Sequence, residues 1–381
     1  MDFNLTEEQQ AVMETARDFA DNEIKPVAAE YDQKEEFPWP IVKKLAELGF
    51  LGMIIPAKYG GSEVGNVSLA ATIMEVSRVC ASTGVTLSVH NSLLSNPLLK
   101  FGSEAQKQKY LPKLASGEWI GAYGLTESSA GSDAANQKTI AVKKGDRYII
   151  NGQKVWITNA GVADVTIVFA VTDKDGRKGN NVSAFLVEKS FPGFNVGTHE
   201  KKLGIRASDT AELSFEDMEV PEENLLGDLN HGFKIAMDTL DGGRIGIASQ
   251  ATGILMGCLE ESARYAKERK QFGKPIAAFE PIQWKIAEMA MERDAARLLT
   301  LRAAHLKDIG AKHTQEASMA KLFASRAANK AAWNAVQIFG GYGYTKDYPV
   351  ERFYRDAKIT ELYEGTSEVQ NIVISRPFLR D

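Results

Sequence analysis

The period of the hydrophobic pattern changes twice along this chain, and that change limits the folds it can adopt. Apolar residues recur at helical spacing from residue 1 to about 120, alternate as in strands from about 121 to 232, and return to helical spacing up to residue 381. We therefore predict an α+β protein with an N-terminal all-α domain over 1–120, a middle β domain over 121–232 and a C-terminal α-helical bundle over 233–381.

Helix signals punctuate the first region. Thr6 with Gln9 forms a capping box, and Pro38 is placed to open a helix that Gly49 ends. Ser103 is the expected N-cap of a further helix. These signals predict several helices before residue 120.

Strand signals dominate the middle region. Residues 148–157 resemble a β-hairpin with Asn151-Gly152 as its turn, and 165–171 form an apolar run typical of a buried strand. Ala211, Leu213 and Phe215 alternate with polar residues. Several short strands in about a hundred residues predict a barrel or sandwich.

The third region predicts long helices. No proline interrupts 233–270, and Pro281 is placed to start another helix. Alanines follow at helical spacing, which allows helices to approach closely: Ala317, Ala320, Ala324, Ala327, Ala328, Ala331 and Ala335. A four-helix bundle is the simplest assembly.

Composition and motif searches exclude several classes of protein. Net charge is −5 without a basic run, so we expect no nucleic-acid partner. No apolar stretch reaches membrane-spanning length, and we expect no membrane insertion. The two cysteines and five histidines lack metal-ligand spacing, so no metal is expected. With no secretory leader pattern at the start, this usage predicts a cytoplasmic protein.

Two polar segments of the middle region are candidate ligand-binding elements. Residues 123–133 form a small-residue loop whose backbone N–H groups and hydroxyls could hold a phosphate or a polar ring edge, or it could be a connector. Trp156-Ile157-Thr158 could line a ligand, although Trp156 alone would more often be a core residue.

Two segments of the third region are candidates of the same kind. Residues 269–275 place cations at a helix end, which also suits the helix dipole without any ligand. Residues 337–371 contain closely spaced glycines and then Glu364, which apolar neighbours could convert into a general base. A solvated loop glutamate is the alternative.

Taken together, these four segments resemble the acyl-CoA dehydrogenase family over essentially the whole chain. Two stretches carry the resemblance: Gly124-Leu125-Thr126-Glu127 continuing to Ala130-Gly131-Ser132-Asp133, and Gln337 with Gly340-Gly341 and Gly343-Tyr344, continuing through Asp347, Arg352 and Asp356. The resemblance implies a helical N-terminal domain, a middle β-barrel domain and a C-terminal four-helix bundle, assembled as a homotetramer.

The resemblance implies FAD as the cofactor and an acyl-CoA as the substrate. The implied FAD contacts are Tyr123, Leu125, Thr126, Gly131, Ser132, Trp156, Ile157, Thr158, Arg269, Phe272, Gln337, Gly340, Gly341, Thr366 and Glu368. Arg269, Phe272 and the Gln337–Gly341 stretch would reach FAD from a neighbouring subunit. The implied substrate contacts are Ser132, Asp241, Arg244 and Gly365.

The resemblance also implies the chemistry. Glu364 matches the catalytic base that removes the α-proton, while the β-hydrogen leaves as hydride to the flavin. The backbone N–H of the base and a ribityl hydroxyl would stabilise the developing enolate. An electron-transfer flavoprotein is the expected electron acceptor.

Three departures bear on the assignment. Some members carry the base at the position of Gly243, where a glycine cannot serve, so Glu364 keeps that role. The family often has a glutamine near the position of Glu280. A carboxylate there would be repelled by the FAD phosphates unless it is paired or turned outward. The segment 83–94 has no Arg or Lys, which disfavours a dicarboxylic acyl group and suits a short aliphatic, branched or alicyclic chain.

The alternatives are an acyl-CoA oxidase, a flavin monooxygenase and a non-catalytic CoA-binding or scaffold protein. Oxidases are typically longer, and hydroxylating relatives do not need the Tyr363-Glu364-Gly365-Thr366 sequence. A scaffold protein would not be yellow after purification.

Overall fold

The computed structural model describes residues 4–379, in which helices flank a β-sheet in chain order. The α-helices are α1 (Glu7–Phe19), α2 (Ala28–Lys34), α3 (Trp39–Glu47), α4 (Gly65–Val79), α5 (Ala81–Ser88), α6 (Asn96–Phe101), α7 (Glu104–Ala115), α8 (Gly232–Glu268), α9 (Glu280–Asp308), α10 (Thr314–Phe339), α11 (Val350–Ala357) and α12 (Ser367–Leu379). The strands are β1 (Gly121–Gly124), β2 (Ile140–Lys144), β3 (Arg147–Thr158), β4 (Val165–Val171), β5 (Val182–Glu188), β6 (Phe194–His199), β7 (Thr210–Pro221), β8 (Leu225–Leu226), β9 (Lys270–Gln271) and β10 (Lys274–Pro275).

The helix starts and stops predicted at Thr6, Pro38, Gly49 and Ser103 are confirmed. Thr6 and Ser103 both form complete capping boxes, and Gly49 follows α3 with a φ of +76°. Helix α5 continues into a π-helical segment, Val89–Ser95, that is wholly buried. This buried segment passes beside β1 and α8, so the N-terminal region contributes directly to the interior of the molecule.

Eight strands form the central sheet, in the order β6-β7-β3-β2-β4-β5-β8, with β1 paired to β4. A single residue pair, Ile140 with Val171, joins the β2 and β4 halves of the sheet. Both faces of β4 are buried. Ile167 and Phe169 pack toward the helices, and Val168 and Ala170 pack into the interior of the sheet domain. Burial on two faces explains the uninterrupted apolar run predicted as a buried strand.

The predicted hairpin turn at Asn151-Gly152 is wrong. Residues 147–158 form one strand that pairs with β7, with a register shift between Ile150 and Gly152. Gly152 has a φ of +150°, and the Asn151 side chain bonds the side chain and backbone N–H of Asp217. Asn151-Gly152 therefore forms a β-bulge. Besides hairpin turns, bulges are a common place for glycine in strands. The turn instead lies between Lys144 and Arg147, with Gly145 at a φ of +64°.

The C-terminal region consists of the long helices α8, α9 and α10, with α11 and α12 packed against α10. The alanines predicted to allow close approach are all buried. Helix α8 also approaches α4 closely, since a Cβ at Gly253 would lie 2.3 Å from the Met74 carbonyl oxygen. One core cluster links the N-terminal helices, β1, β4, β5 and the bundle, so the three regions share an interior.

Across residues 4–379, no helix combines the length and the apolar character needed to cross a membrane.

Candidate active site

Glu364 lies in the loop that precedes α12, at the centre of the site. Its φ is +51°, and its Oε2 atom is buried without a hydrogen-bond partner. Burial raises the pKa of Glu364 to about 7, although the charges of Lys321 and Arg244 act to lower it. Within residues 4–379 its backbone N–H also has no partner. A carboxylate in this environment is suited to removing a proton near neutral pH.

Helix α8 presents a glycine to that carboxylate. A Cβ built on Gly243 would lie 2.0 Å from Oε2 of Glu364 and 2.7 Å from Cδ2 of Leu93. Any side chain at position 243 would therefore occupy the space of the carboxylate. This proximity is the geometric counterpart of the sequence prediction that one of these two positions carries a base.

Three buried side chains from three helices hold the loop around Glu364. The Tyr363 hydroxyl donates to Oε1 of Gln250, whose amide in turn donates to the Ala81 carbonyl at 2.9 Å. The Gly365 carbonyl accepts from Lys321 Nζ at 2.6 Å and from Gln370 Nε2 at 2.9 Å. The sequence interpretation missed Gln250, Lys321 and Gln370. The available signal was a lysine within the alanine face of α10.

Arg244 and Asp241, predicted to contact substrate, form an (i, i+3) ion pair on α8 that spans Gly243. Arg244 Nη1 lies 2.7 Å from Oδ1 of Asp241, and Thr314 donates to Oδ2 of the same carboxylate at 2.5 Å. Burial lowers the pKa of Arg244, while Asp241 and Glu364 act to raise it. The Nε atom of Arg244 is buried and has no hydrogen-bond partner. The pair therefore leaves one guanidinium donor unpaired near the base.

The predicted flavin loop and the Trp156 segment lie side by side. The Val155 N–H donates to the Thr126 carbonyl at 3.0 Å, which joins the 125–133 loop to β3. Ile157 is buried, whereas Trp156 is 60% exposed at a φ of +58°. The simple core interpretation of Trp156 is therefore wrong. An exposed indole in the left-handed region of backbone space is strained and uncovered, which indicates a contact surface.

A buried ion pair holds this loop from beneath. Lys154 Nζ lies 2.8 Å from Oε1 of Glu127 and also donates to the Leu125 carbonyl and the Gln137 side chain. Burial lowers the pKa of Lys154 to about 8, and the Glu127 charge opposes that shift. Glu127 also accepts the backbone N–H groups of residues 138 and 139. One carboxylate thus joins the start of the connection between β1 and β2 to its end.

Five predicted cofactor contacts of the C-terminal region form a second, exposed group: Arg269, Phe272, Gln337, Gly340 and Gly341. The Arg269 guanidinium lies 5.5 Å from the centre of the Tyr342 ring, which brings the β9–β10 turn beside residues 340–344. Phe272, at the tip of that turn, is 93% exposed with a φ of +51°. Gln337, Gly340 and Gly341 are exposed too. Across residues 4–379, no hydrogen bond or ring contact joins this group to Thr126, Trp156 or Glu364.

Other predicted positions fall at the edges of these groups. Thr366 accepts the Val369 N–H at 3.4 Å at the start of α12, and Glu368 is exposed in its first turn. Tyr123 is buried and packs against Phe169. Gly131 and Ser132 are exposed in the loop, and Glu280 is turned outward at the start of α9.

The part of the chain that the structure describes contains no cluster of three or more His, Cys, Asp or Glu side chains arranged to hold a metal ion. His90 is buried between backbone groups, where burial lowers its pKa to about 4.

Family models for the acyl-CoA dehydrogenase N-terminal, middle and C-terminal domains match residues 6–118, 122–218 and 230–379. The chain belongs to the acyl-CoA dehydrogenase family.

Individual relatives are similar over the whole chain. The short-chain specific acyl-CoA dehydrogenase of Clostridium acetobutylicum is 54% identical over 100% of both chains. The structure of butyryl-CoA dehydrogenase from Megasphaera elsdenii is 47% identical, with a TM-score of 0.98 over 100% of both chains. A chain in the solved structure of the electron transferring flavoprotein of Acidaminococcus fermentans is 51% identical, with a TM-score of 0.99 over 100% of both chains.

Proposed function

We propose that this chain oxidises a short-chain acyl-CoA to the 2-enoyl-CoA, with Glu364 as the base. The observation that carries the proposal is the Glu364 carboxylate, which is buried, partnerless at Oε2 and placed against Gly243. Short-chain specificity is supported by the similarity to the Clostridium acetobutylicum and Megasphaera elsdenii proteins.

Residues of this chain supply the proton transfer and the polarisation of the thioester. Glu364 accepts the α-proton, and its raised pKa brings its proton affinity closer to that of the weakly acidic substrate. The free backbone N–H of Glu364 donates to the thioester carbonyl, where negative charge develops. Asp241, Arg244, Gly365 and Ser132 bind the CoA portion. These contacts fix the α-carbon beside the carboxylate, an orientation effect that can supply several kcal/mol.

The residues present fit FAD, the cofactor that members of this family generally use. Val155, next to Trp156, donates its N–H to the Thr126 carbonyl, which places the loop beside the Trp156 segment. A Cβ at Gly131 or Gly341 would meet no atom within 4 Å. We infer that the residues holding FAD are Tyr123, Leu125, Thr126, Gly131, Ser132, Trp156, Ile157, Thr158, Arg269, Phe272, Gln337, Gly340, Gly341, Thr366 and Glu368. When bound, FAD supplies the acceptor for the hydride that leaves the β-carbon.

The helical segment 83–94, which approaches the base through Leu93, contains no Arg or Lys. Leu93 reaches the position of Gly243 from the buried segment 89–95, and Val85 and Leu94 of the same core cluster are buried. Leu87 packs instead with Leu51 and Ile73 in the core of the N-terminal helices. Apolar walls favour aliphatic chains and disfavour a distal carboxylate, which would be buried without a partner. One methylene is worth only about 1 to 3 kcal/mol, so neighbouring chain lengths compete.

We propose a homotetramer and an electron-transfer flavoprotein as electron acceptor. The exposed group around Phe272 and Gln337 would complete the cofactor site of a second copy. The acceptor is supported by the similarity to a chain of the Acidaminococcus fermentans structure. A cytoplasmic location stays a prediction from the sequence.

The test is anaerobic reduction of the purified protein by butyryl-CoA. The parent protein is expected to carry flavin absorbance that bleaches, and Glu364→Gln is expected to keep the flavin but bleach at least about 100-fold more slowly. Equal bleaching rates would reject Glu364 as the base. Rapid reoxidation of the bleached parent by oxygen would favour the oxidase alternative, and a colourless protein that takes up no FAD would reject the flavoenzyme.

A further inference from the structure

Lys321 is a buried cation on the alanine face of α10. It is fully buried, and Ala317, Ala324 and Ala328 lie on the same face one or two turns away. Within the described residues no carboxylate oxygen approaches its Nζ within 4 Å, and its single hydrogen bond is to the Gly365 carbonyl at 2.6 Å. Burying an ammonium without an ion-pair partner is costly, so the position needs an explanation beyond packing.

The hydrogen bond of Lys321 is to the carbonyl of Gly365, the residue that follows the base. Gly365 has a φ of +94° and Glu364 a φ of +51°, so two successive residues occupy the left-handed region. Such a backbone persists only when its surroundings over-determine it. Lys321 and Gln370 both donate to the Gly365 carbonyl, from α10 and α12. One donor is charged and the other is neutral, which allows the two contributions to be separated.

The charge of Lys321 is also the least compensated one near the base. The titratable groups facing Glu364 are Lys321 on α10, Arg244 on α8, Tyr123 on β1 and its neighbour Tyr363. Arg244 is paired with Asp241 at 2.7 Å, which offsets much of its field. Lys321 also faces Arg244 and the carboxylates of Glu361 and Glu368, but its Nζ lies within 4 Å of neither carboxylate.

We propose that Lys321 is a positioning residue, whose ammonium fixes the Gly365 carbonyl and favours the ionised form of Glu364, which accepts the substrate α-proton. Its role in turnover rests on the proposed function, whereas its effect on the ionisation of Glu364 does not. Burial lowers the pKa of Lys321 to about 8, so the ammonium remains largely protonated at neutral pH. Fixing the carbonyl and favouring ionisation of Glu364 are separable effects, because Lys321 is a charged donor and Gln370 is a neutral one.

The experiment compares Lys321→Met with Gln370→Met in the flavin-loaded protein. Difference infrared spectroscopy, with Glu364→Gln to identify the carboxyl band, measures the titration midpoint of Glu364 without any substrate. For Lys321→Met the midpoint is expected to rise by about one pH unit, the low end of the effect of a nearby opposite charge. Gln370→Met is expected to leave the midpoint in place and to lower kcat several-fold.

Two further variants complete the design. Lys330→Met removes an exposed lysine of the same helix, paired with Glu288 and Glu292, and should change neither quantity. Lys321→Gln keeps a donor without charge, and it should reproduce the shifted midpoint if Lys321→Met does not fold. An unmoved midpoint in a folded, flavin-bound Lys321 variant overturns the proposal. A shifted midpoint in a protein that oxidises no acyl-CoA would retain the electrostatic role and reject the proposed function.

Discussion

The base side and the cofactor side of this site differ in how far one chain completes them. Around Glu364, side chains from α8, α10 and α12 fix the loop, and each anchoring group is buried. Around Phe272 and Gln337, the candidate contacts stand exposed, with Phe272 at 93% exposure. One chain thus forms the surroundings of the Glu364 carboxylate by itself, whereas part of its candidate cofactor surface faces outward.

This difference indicates which properties belong to the folded chain and which depend on binding. Removing a buried anchoring side chain lowers the free energy of unfolding, because its former partner remains as an unpaired polar group or charge. Removing an exposed contact residue changes the stability of the free chain little, but it reduces the affinity for the ligand or partner that covers it. Variants on the two sides should therefore separate stability from cofactor retention.

The largest effect is expected beneath the flavin loop, where Lys154→Met leaves the Glu127 carboxylate buried and unpaired. Because removing one partner of a buried pair leaves an uncompensated charge, the free energy of unfolding should fall by about 3–5 kcal/mol. Chemical denaturation of the FAD-free protein measures it. The double variant Glu127→Gln/Lys154→Met should recover much of the loss. If it recovers nothing, the cost lies in packing and not in the ion pair.

The next effect tests the base side directly. Gly243→Ala places a methyl group 2.0 Å from Oε2 of Glu364, so the carboxylate must move. Since a misplacement of about 1 Å can cost about 100-fold in rate, kcat should fall by about that factor although Glu364 is retained. Flavin reduction by butyryl-CoA in a stopped-flow instrument gives the rate.

Gly246→Ala is the matched control for that variant. One turn along α8, the same substitution places a methyl group 2.0 Å from Oγ of Ser88 instead. Both variants should lose about 1 to 3 kcal/mol of stability through overpacking. Equal losses of kcat in the two would show that Gly243 matters for packing alone.

The sequence predicts features that are set by local pattern, but it does not predict contacts between distant segments. The Thr6 capping box, the Ser103 N-cap, the buried strand β4 and the alanine face of α10 follow from local pattern, and all are confirmed. Asn151-Gly152 was mispredicted because a bulge and a hairpin turn ask for the same residue types. Lys321 was missed because its partner, the Gly365 carbonyl, lies 44 residues away, a contact that only tertiary packing reveals. Gln370 lies five residues from Gly365, but its bond depends on the backbone conformation of the loop before α12.

The pH dependence of the parent enzyme sharpens the base side further. Glu364 must be ionised to accept a proton, and burial raises its pKa to about 7. The sign follows directly: kcat/KM should be level above that pH and fall about tenfold for each pH unit below it, since kcat/KM reports the free enzyme. Initial rates with butyryl-CoA from pH 5.5 to 8.5 provide the profile. An acid limb centred near pH 4.5 would mean that the carboxylate is solvated in the free enzyme.

The smallest effect is expected on the cofactor side, at Phe272. Phe272→Ala removes an exposed ring, so the free energy of unfolding of the FAD-free chain should change by no more than about 0.5 kcal/mol. If the ring covers FAD in a second copy, FAD affinity should fall by about tenfold, the loss expected for a contact worth just over 1 kcal/mol. Fluorescence titration with FAD measures the affinity, and Leu48→Ala, an exposed apolar side chain of the N-terminal region, serves as control. Unchanged FAD affinity in Phe272→Ala would confine the cofactor site to the Thr126 and Trp156 surface of one chain.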